Sequence, residues 1–424
     1  MREPIFGGRA FVLEAGPADG PLVVLVHGLG DAGARDWDSL IPHLIDRYRV
    51  LAFDLPGFGR STKANEPYSP DRYVKFIRHL VEARTSEPFR LVGHSMGGAI
   101  SLLYAGTHPG DVERLVLADA AAILYRQAYA EHMVHLGLHK VPLDLLPGVP
   151  GGGAVKSFIN QWVRPFARFE PDPTVVFEFA WAREKVLGGD PTKIAAMMLI
   201  FKNLGPAMGK VVAPTRLIWG EDDNIAPVRT GMLLESRLPH AERHVLSGCG
   251  HVPMNDQPAQ FAELVREWLD SDVVPGGEAE LVRSGQSTRT IRRSGEKGGV
   301  IEGDFARLEL ENCNGTVLRR VRARELVVKY SEIQIEQSRF ESPGTVLDVT
   351  GSRVKMTGGE IIGDVAILAE SSDLDLAGVR IEGRSAAVRS PRQADILCSV
   401  CPVTSPKRDD YLHGIYRAER GVDL

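Results

Sequence analysis

Residues 89–98 read FRLVGHSMGG. A short apolar run, FRLV, leads directly into Gly93-His94-Ser95-Met96-Gly97, and residues 96–107 behind it carry helical spacing. Gly-x-Ser-x-Gly placed between a strand and a helix describes a sharp turn that lifts the serine hydroxyl clear of a sheet. Side chains flanking so tight a turn would clash across it, and Gly93, Gly97 and Gly98 remove them. The helix that starts behind Ser95 points its positive end at any oxyanion forming beside the hydroxyl. Ser95 is therefore the candidate nucleophile.

Outward from this turn, PLVVLVHG (21–28), YRVLAFDLP (48–56), VERLVLADA (112–120) and TRLIWGE (215–221) are near-continuous in Val, Leu, Ile or Phe. Strands apolar on both faces belong to parallel sheets covered by helices on each side. DRYVKFIRHLVEAR (71–84) and 96–107 supply helical patterns between them, so the expectation is a doubly wound α/β fold with a mostly parallel sheet. The interval 121–208 is too long for one crossover helix. Its helical stretches at 121–139, 155–168, 174–187 and 192–204 predict a helical cap inserted over the sheet.

Composition changes near residue 272. All five Trp and thirteen of fifteen Phe lie before it. SDVVPGGEAELVRSGQSTRTIRRSGEKGG (271–299) has Gly, Ser and mixed charge without apolar periodicity, and 273–299 reads as a linker between a first domain, 1–272, and a second, 300–424. In the second, Ser331, Ser352 and Ser372 recur at intervals of 21 and 20. Ile335, Met356, Leu376 and Ile396 form a second column, Phe340, Ile361, Ile381 and Cys401 a third, and Leu347 and Ile367 a fourth. A period near 20 with fixed apolar columns predicts an all-β stack of solenoid coils, a right-handed parallel β-helix, with a β-sandwich as the alternative.

A serine hydroxyl needs a positioned base. His251, in SGCGHVPMNDQP (247–258), follows the candidate last strand AERHVLSG (241–248) and precedes the terminal helix at 256–270, where it can reach Ser95. An acid should hold its other ring nitrogen. IWGEDDNIAP (218–227) offers Asp222 and Asp223, and Asp119 after VLADA is a third candidate. Two N–H donors should hold the oxyanion: the amide of Met96, after the nucleophile, and one from His27-Gly28-Leu29-Gly30, with Leu29 preferred and Gly28 second. His27 itself is expected to shape that loop by hydrogen bonding.

Taken in order, HGLG, DLPGFGRS (54–61), GHSMGG, GEDDNIAP and GCGHVP resemble the motifs of the α/β-hydrolase superfamily, capped serine hydrolases and esterases included, over residues 1–272. The resemblance implies a Ser95–Asp223–His251 triad, because the family's G-x-x-D spacing from Gly220 selects Asp223; Asp222 is then a solvated turn residue and Asp54 turn-forming. The chain order Ser, Asp, His is that of this fold and of neither chymotrypsin nor subtilisin. Serine at 95 argues against epoxide hydrolases and haloalkane dehalogenases, whose nucleophile there is a carboxylate. Carbon–carbon bond hydrolases usually carry Asn where this chain has His94.

The function expected is cofactor-free hydrolysis of a carboxylic ester or related acyl compound through an acyl-serine. The alternatives are acyl transfer, thioester release or carbon–carbon cleavage by the same residues, or a binding and assembly role for the β-helix, including self-association. Trp162, Phe166, Phe169, Phe177, Phe179 and Trp181 suggest an apolar cap pocket for a hydrophobic small molecule, with Gly28 beside it. His132, His135 and His139 share one helix face but lack a carboxylate to complete a metal site, so no metal is expected. Cys249, Cys398 and Cys401 read as buried structural thiols, and RRVRAR (319–324) as a half-buried strand. With 50 Lys and Arg against 55 Asp and Glu, the net charge of −5 gives no reason to expect nucleic acid or an anionic membrane as partner. Four Cys are too few for a disulfide scaffold, no apolar run approaches the roughly 20 residues that span a bilayer, and the N-terminus lacks the apolar core of a secretory leader. The expected compartment is the cytoplasm.

Overall fold

The apolar runs form a seven-stranded sheet in the computed structural model, which describes residues 1–126, 128, 174–275 and 287–418. Its strands are β1 (Val12–Ala15), β2 (Leu22–Val26), β3 (Arg49–Phe53), β4 (Phe89–His94), β5 (Val112–Ala118), β6 (Thr215–Gly220) and β7 (Ala241–Leu246). Their order is β1-β3-β2-β4-β5-β6-β7. Only β1 runs antiparallel, against β3; the other neighbours are parallel, as in Val23↔Val50 and Val24↔Leu91. Every residue of β2 and β6 is buried, which explains their unbroken apolar reading. At the edge, β7 is mostly half-buried and correspondingly mixed in sequence.

The helices between strands owe their ends to local chemistry. Helix α1 (Pro70–Glu82) starts with proline at its first position, and the Ser69 hydroxyl accepts from the Arg72 N–H. It buries Tyr73, Val74, Phe76, Ile77, Leu80 and Val81 on one face. Helix α2 (Met96–Thr107) is buried almost throughout and starts directly after Ser95. From β2 the chain moves to β3 on one side, then to β4 on the other, so the strand order reverses between β2 and β4. Open α/β sheets bind their ligands outside the carboxyl ends of the strands at such a reversal. The loop after β2 holds His27 to Gly30, and the turn after β4 holds Ser95.

Of the expected cap, the described part comprises helices Thr174–Phe177, Ala180–Leu187, Pro191–Ile200 and Gly205–Met208. The stretch 155–168 and most of 121–139 lie outside the described residues. Among the described residues, no helix is long and apolar enough to cross a membrane.

The chain divides into two units, Met1–Gly231 with Leu238–Gly277, and Met232–Arg237 with Glu278–Leu424. The second carries β8 (Thr290–Ser294), β9 (Val300–Glu311), β10 (Asn314–Lys329), β11 (Glu332–Glu341), β12 (Thr345–Thr350), β13 (Arg353–Glu370), β14 (Asp373–Ala377), β15 (Arg380–Arg389), β16 (Ala394–Ser405) and β17 (Arg408–Ala418). Strand β8 falls inside 273–299, the stretch read as linker, and pairs in parallel with β9, so the paired strands begin before residue 300. All pairings are parallel except β16 with β17.

The expected columns correspond to pairing registers. Leu318, Ile335, Met356 and Leu376 are successive partners, as are Phe340, Ile361 and Ile381, and also Leu347 and Ile367. The last interval departs from expectation: Leu376 pairs with Cys398 rather than Ile396, and Ile381 with Val403 rather than Cys401. Four residues (390–393) separate β15 from β16, where only two (371–372) separate β13 from β14. That insertion shifts the register by two and keeps the same faces buried, because strand periodicity is two.

The recurrent serines form a buried ladder. Cys313 N–H donates to Ser331 Oγ (2.9 Å), Ser331 N–H to Ser352 Oγ (3.1 Å) and Ser352 N–H to Ser372 Oγ (3.1 Å). The three hydroxyls donate in turn to the carbonyls of Lys329, Thr350 and Glu370. Ser352→Ala should cost about 1–3 kcal/mol, because it strands the buried Ser331 N–H. A denaturant titration checks this, and an unchanged midpoint would remove the ladder from the forces holding the stack.

Candidate active site

Ser95 sits between β4 and α2 at φ 52°, the left-handed region that few non-glycine residues adopt. The motif glycines permit that turn. A Cβ on Gly97 would lie 2.2 Å from the Val26 carbonyl oxygen, and one on Gly93 would lie 2.4 Å from Ser101 Oγ. The strain holds Ser95 Oγ 2.9 Å from His251 Nε2, while His251 Nδ1 lies 2.8 Å from Asp223 Oδ2. Asp223 Oδ1 accepts from the N–H groups of Ile225 (2.7 Å) and Ala226 (2.9 Å), which fixes the carboxylate on the loop after β6. Burial alone would raise its pKa; the charge and hydrogen bond of His251 reverse that and hold it below the ordinary carboxylate range.

One further residue extends this line. Asp119, weighed as an alternative acid, follows β5 and takes the Gly220 N–H on Oδ1 at 2.9 Å. Burial first, and then the Asp223 charge, push its pKa well above the ordinary value. Asp119, Asp223 and His251 each bring one ligand-type atom within 4.8 Å of the others, the one such grouping among the described residues. Hydrogen bonds within the line already engage Asp223 and His251.

His94 and Asp36 escaped the sequence reading. Nothing in their spacing marks them; only the fold brings them to the site. His94 Nε2 donates to the His251 carbonyl (2.7 Å) and so ties the histidine loop to the nucleophile turn. Its Nδ1 is buried without a partner, on the side where a Cβ at Gly28 would come within 2.9 Å. Burial, aided by the neighbouring His251 charge, lowers its pKa to about 3, so this ring is neutral. Asp36, on the short helix Gly33–Trp37, has its pKa raised to about 6 by burial. His27 behaves as the loop-shaping residue expected, with Nδ1 donating to the Gly28 carbonyl (2.7 Å) and Nε2 accepting from Leu55 N–H (2.9 Å).

Other expected residues fall away from this line. Asp222 is exposed, and Cys249 is buried in the core beside Met254. Asp54 is a buried anchor for Ala34 N–H and Arg60. Trp181, expected to line the substrate pocket, is 64% exposed: its helix buries Ala182, Arg183 and Leu187 and leaves Trp181 on the open face. Phe179 is exposed as well, whereas Phe177 is buried. Trp162, Phe166, Phe169, His132, His135 and His139 lie outside the described residues.

The chain is similar to known proteins over its first unit. The chain is 28% identical to the monoacylglycerol lipase abhd6-A of Xenopus laevis, over 60% of this chain and 77% of that protein. It is 29% identical to the 2-hydroxy-6-oxo-6-(2'-aminophenyl)hexa-2,4-dienoic acid hydrolase of Metapseudomonas resinovorans, over 61% and 86%. An uncharacterized protein of Mycobacterium tuberculosis is 26% identical over 70% of this chain and 88% of its own length. Among solved structures, a bacterial membrane phospholipase A is 26% identical with a TM-score of 0.46, covering 62% of this chain and 82% of its own. Residues 23–264, more than half of the chain, match the alpha/beta hydrolase family, and the chain belongs to it.

Proposed function

We propose that the chain is a serine hydrolase that cleaves a carboxylic ester through an acyl-serine intermediate. The observation that carries this reading is the continuous line from Ser95 Oγ through His251 to Asp223 at 2.9 and 2.8 Å. Ser95 Oγ attacks the ester carbonyl carbon while His251 Nε2 takes its proton. Asp223 holds Nδ1–H and steadies the imidazolium. The Met96 N–H belongs to the first turn of α2, where amides have no carbonyl partner within the helix. Leu29, in the loop after β2, is the second donor in this reading, with Gly28 as the alternative. Collapse of the tetrahedral species breaks the ester C–O bond, and His251 Nε2–H protonates the departing alcohol. Water then attacks the acyl-Ser95 with the same histidine as base, releasing the acid.

The lipase relative supports an ester substrate, and the dienoic acid hydrolase relative supports carbon–carbon cleavage as the second reading. In that second reaction the leaving group is a carbon, and the residue before the serine matters more. His94 there spends its one N–H on the His251 carbonyl, which favours the ester. The second unit, with its parallel registers near 20 residues, reads as a right-handed β-helix available for self-association.

A fluorophosphonate probe tests the proposal. Intact protein should take one adduct, located on Ser95 by mass spectrometry, and hydrolyse p-nitrophenyl esters faster than a vinylogous diketone. Folded protein that takes no adduct would overturn the serine reading, and preference for the diketone would overturn the ester.

A further inference from the structure

Asp119 occupies a place that a single acid in the site leaves unexplained. Its backbone is held at φ 44°, a left-handed conformation that costs a non-glycine residue of order 1 kcal/mol or more. Its N–H donates to the Ile218 carbonyl at 3.1 Å and its Oδ1 accepts from Gly220 N–H, so it is pinned to β6, the strand that leads to Asp223. Oδ2 is buried and, among the described residues, receives no N–H or O–H from any other group. An oxygen of each carboxyl group lies within 4.8 Å of the other, and the Asp223 charge adds to burial in raising the pKa of Asp119. Two carboxylates cannot both be charged in such a place, and one proton between them resolves both the repulsion and the orphaned oxygen. Asp223 already takes three donors, from Ile225, Ala226 and His251, whereas Asp119 takes one; the proton therefore stays on Asp119.

We propose that Asp119 is a protonated positioning residue that donates to Asp223 and stands as a reserve acid for His251. The pair carries one negative charge opposite the imidazole. Donation from Asp119 fixes the Asp223 carboxylate and lowers its own appetite for the histidine proton. If Asp223 is made neutral, Asp119 loses the neighbouring charge that holds its proton, and its oxygen lies within 4.8 Å of the histidine ring. The titratable groups facing it are Asp223, His251 and the buried Cys249 thiol. This inference rests on the serine-hydrolase reading above.

The test compares kcat/KM for a p-nitrophenyl ester across pH in the full chain with Ser95→Ala, Asp119→Asn, Asp119→Ala, Asp223→Asn and Asp119→Asn/Asp223→Asn. The double variant should fall at least about tenfold below Asp223→Asn, beyond the loss that Asp119→Asn causes alone. The residual activity of Asp223→Asn should need higher pH than the native enzyme, because Asp119 must first ionise in a buried place. Asp119→Asn, isosteric and still able to donate, should outperform Asp119→Ala. Rates are normalised to folded protein, measured by circular dichroism and gel filtration, which removes any difference in folded fraction. A double variant equal to Asp223→Asn, or an unshifted pH profile, overturns the reserve acid. Surviving activity in Ser95→Ala overturns instead the reading on which it rests.

Discussion

Ser95→Ala should lower kcat for an ester by about 10⁶-fold, leaving only what binding and the oxyanion donors supply. Among the described residues the hydroxyl has one partner, His251 Nε2, so its removal strands only that ring nitrogen of a partly exposed side chain. Alanine tolerates the φ of 52° no worse than serine, and thermal stability should be nearly unchanged. His251→Ala should cost about as much, and the two losses should not add, because nucleophile and base act as one unit. Its carbonyl, which takes the His94 proton, survives the truncation. Steady-state kinetics on extensively purified protein checks the pair. Activity within tenfold of native in Ser95→Ala would place the chemistry on another group, and strictly multiplicative losses would separate His251 from Ser95.

What the sequence disclosed and what it hid divide along a physical line. Ser95, His251 and Asp223 were legible because tight turns leave marks: Gly93 and Gly97 stand where any Cβ would strike backbone or a buried hydroxyl. The sheet was legible because strands covered on both faces admit almost nothing polar, as in β2 and β6. His94 stood out in the sequence only as a departure from the Asn of carbon–carbon bond hydrolases, with nothing to mark its partner. Its bond to the His251 carbonyl spans 157 positions and exists only once β4 and the last loop meet. Asp36 lies on a short helix, Gly33–Trp37, whose sequence resembles any polar turn, and only burial in the fold raises its pKa. Trp181 is exposed while its neighbours Ala182 and Arg183 are buried, and aromatic content alone carries no information about which side of a helix is covered. In the second unit the period of 20 was visible, but a two-residue insertion at 390–393 leaves the apolar alternation intact while moving every partner, and alternation alone cannot register it.

His27→Ala should destabilise the protein by about 3–5 kcal/mol and lower kcat by about 10²-fold. His27 leaves β2 at the reversal of strand order and joins two loops. Nε2 accepts from Leu55 N–H, so the ring proton must sit on Nδ1, where it meets the Gly28 carbonyl. Complete burial lowers the pKa of the ring from 6.5 to about 4, and this neutral tautomer is the form present above that pH. Truncation strands Leu55 N–H and the Gly28 carbonyl, opens a cavity, and frees the segment that carries the Leu29 amide. The stability deficit should itself depend on pH. The unfolded chain protonates His27 below 6.5 and the folded chain only near 4, so the ring's contribution is complete above pH 6.5 and declines as pH falls through that window. The difference between native and variant should therefore shrink by about 3 kcal/mol between pH 7 and pH 4, while groups common to both proteins cancel. Denaturant titrations at the two pH values measure it. A deficit that is constant across the window would mean that His27 titrates normally in the folded protein, and undiminished kcat would detach the loop from the oxyanion.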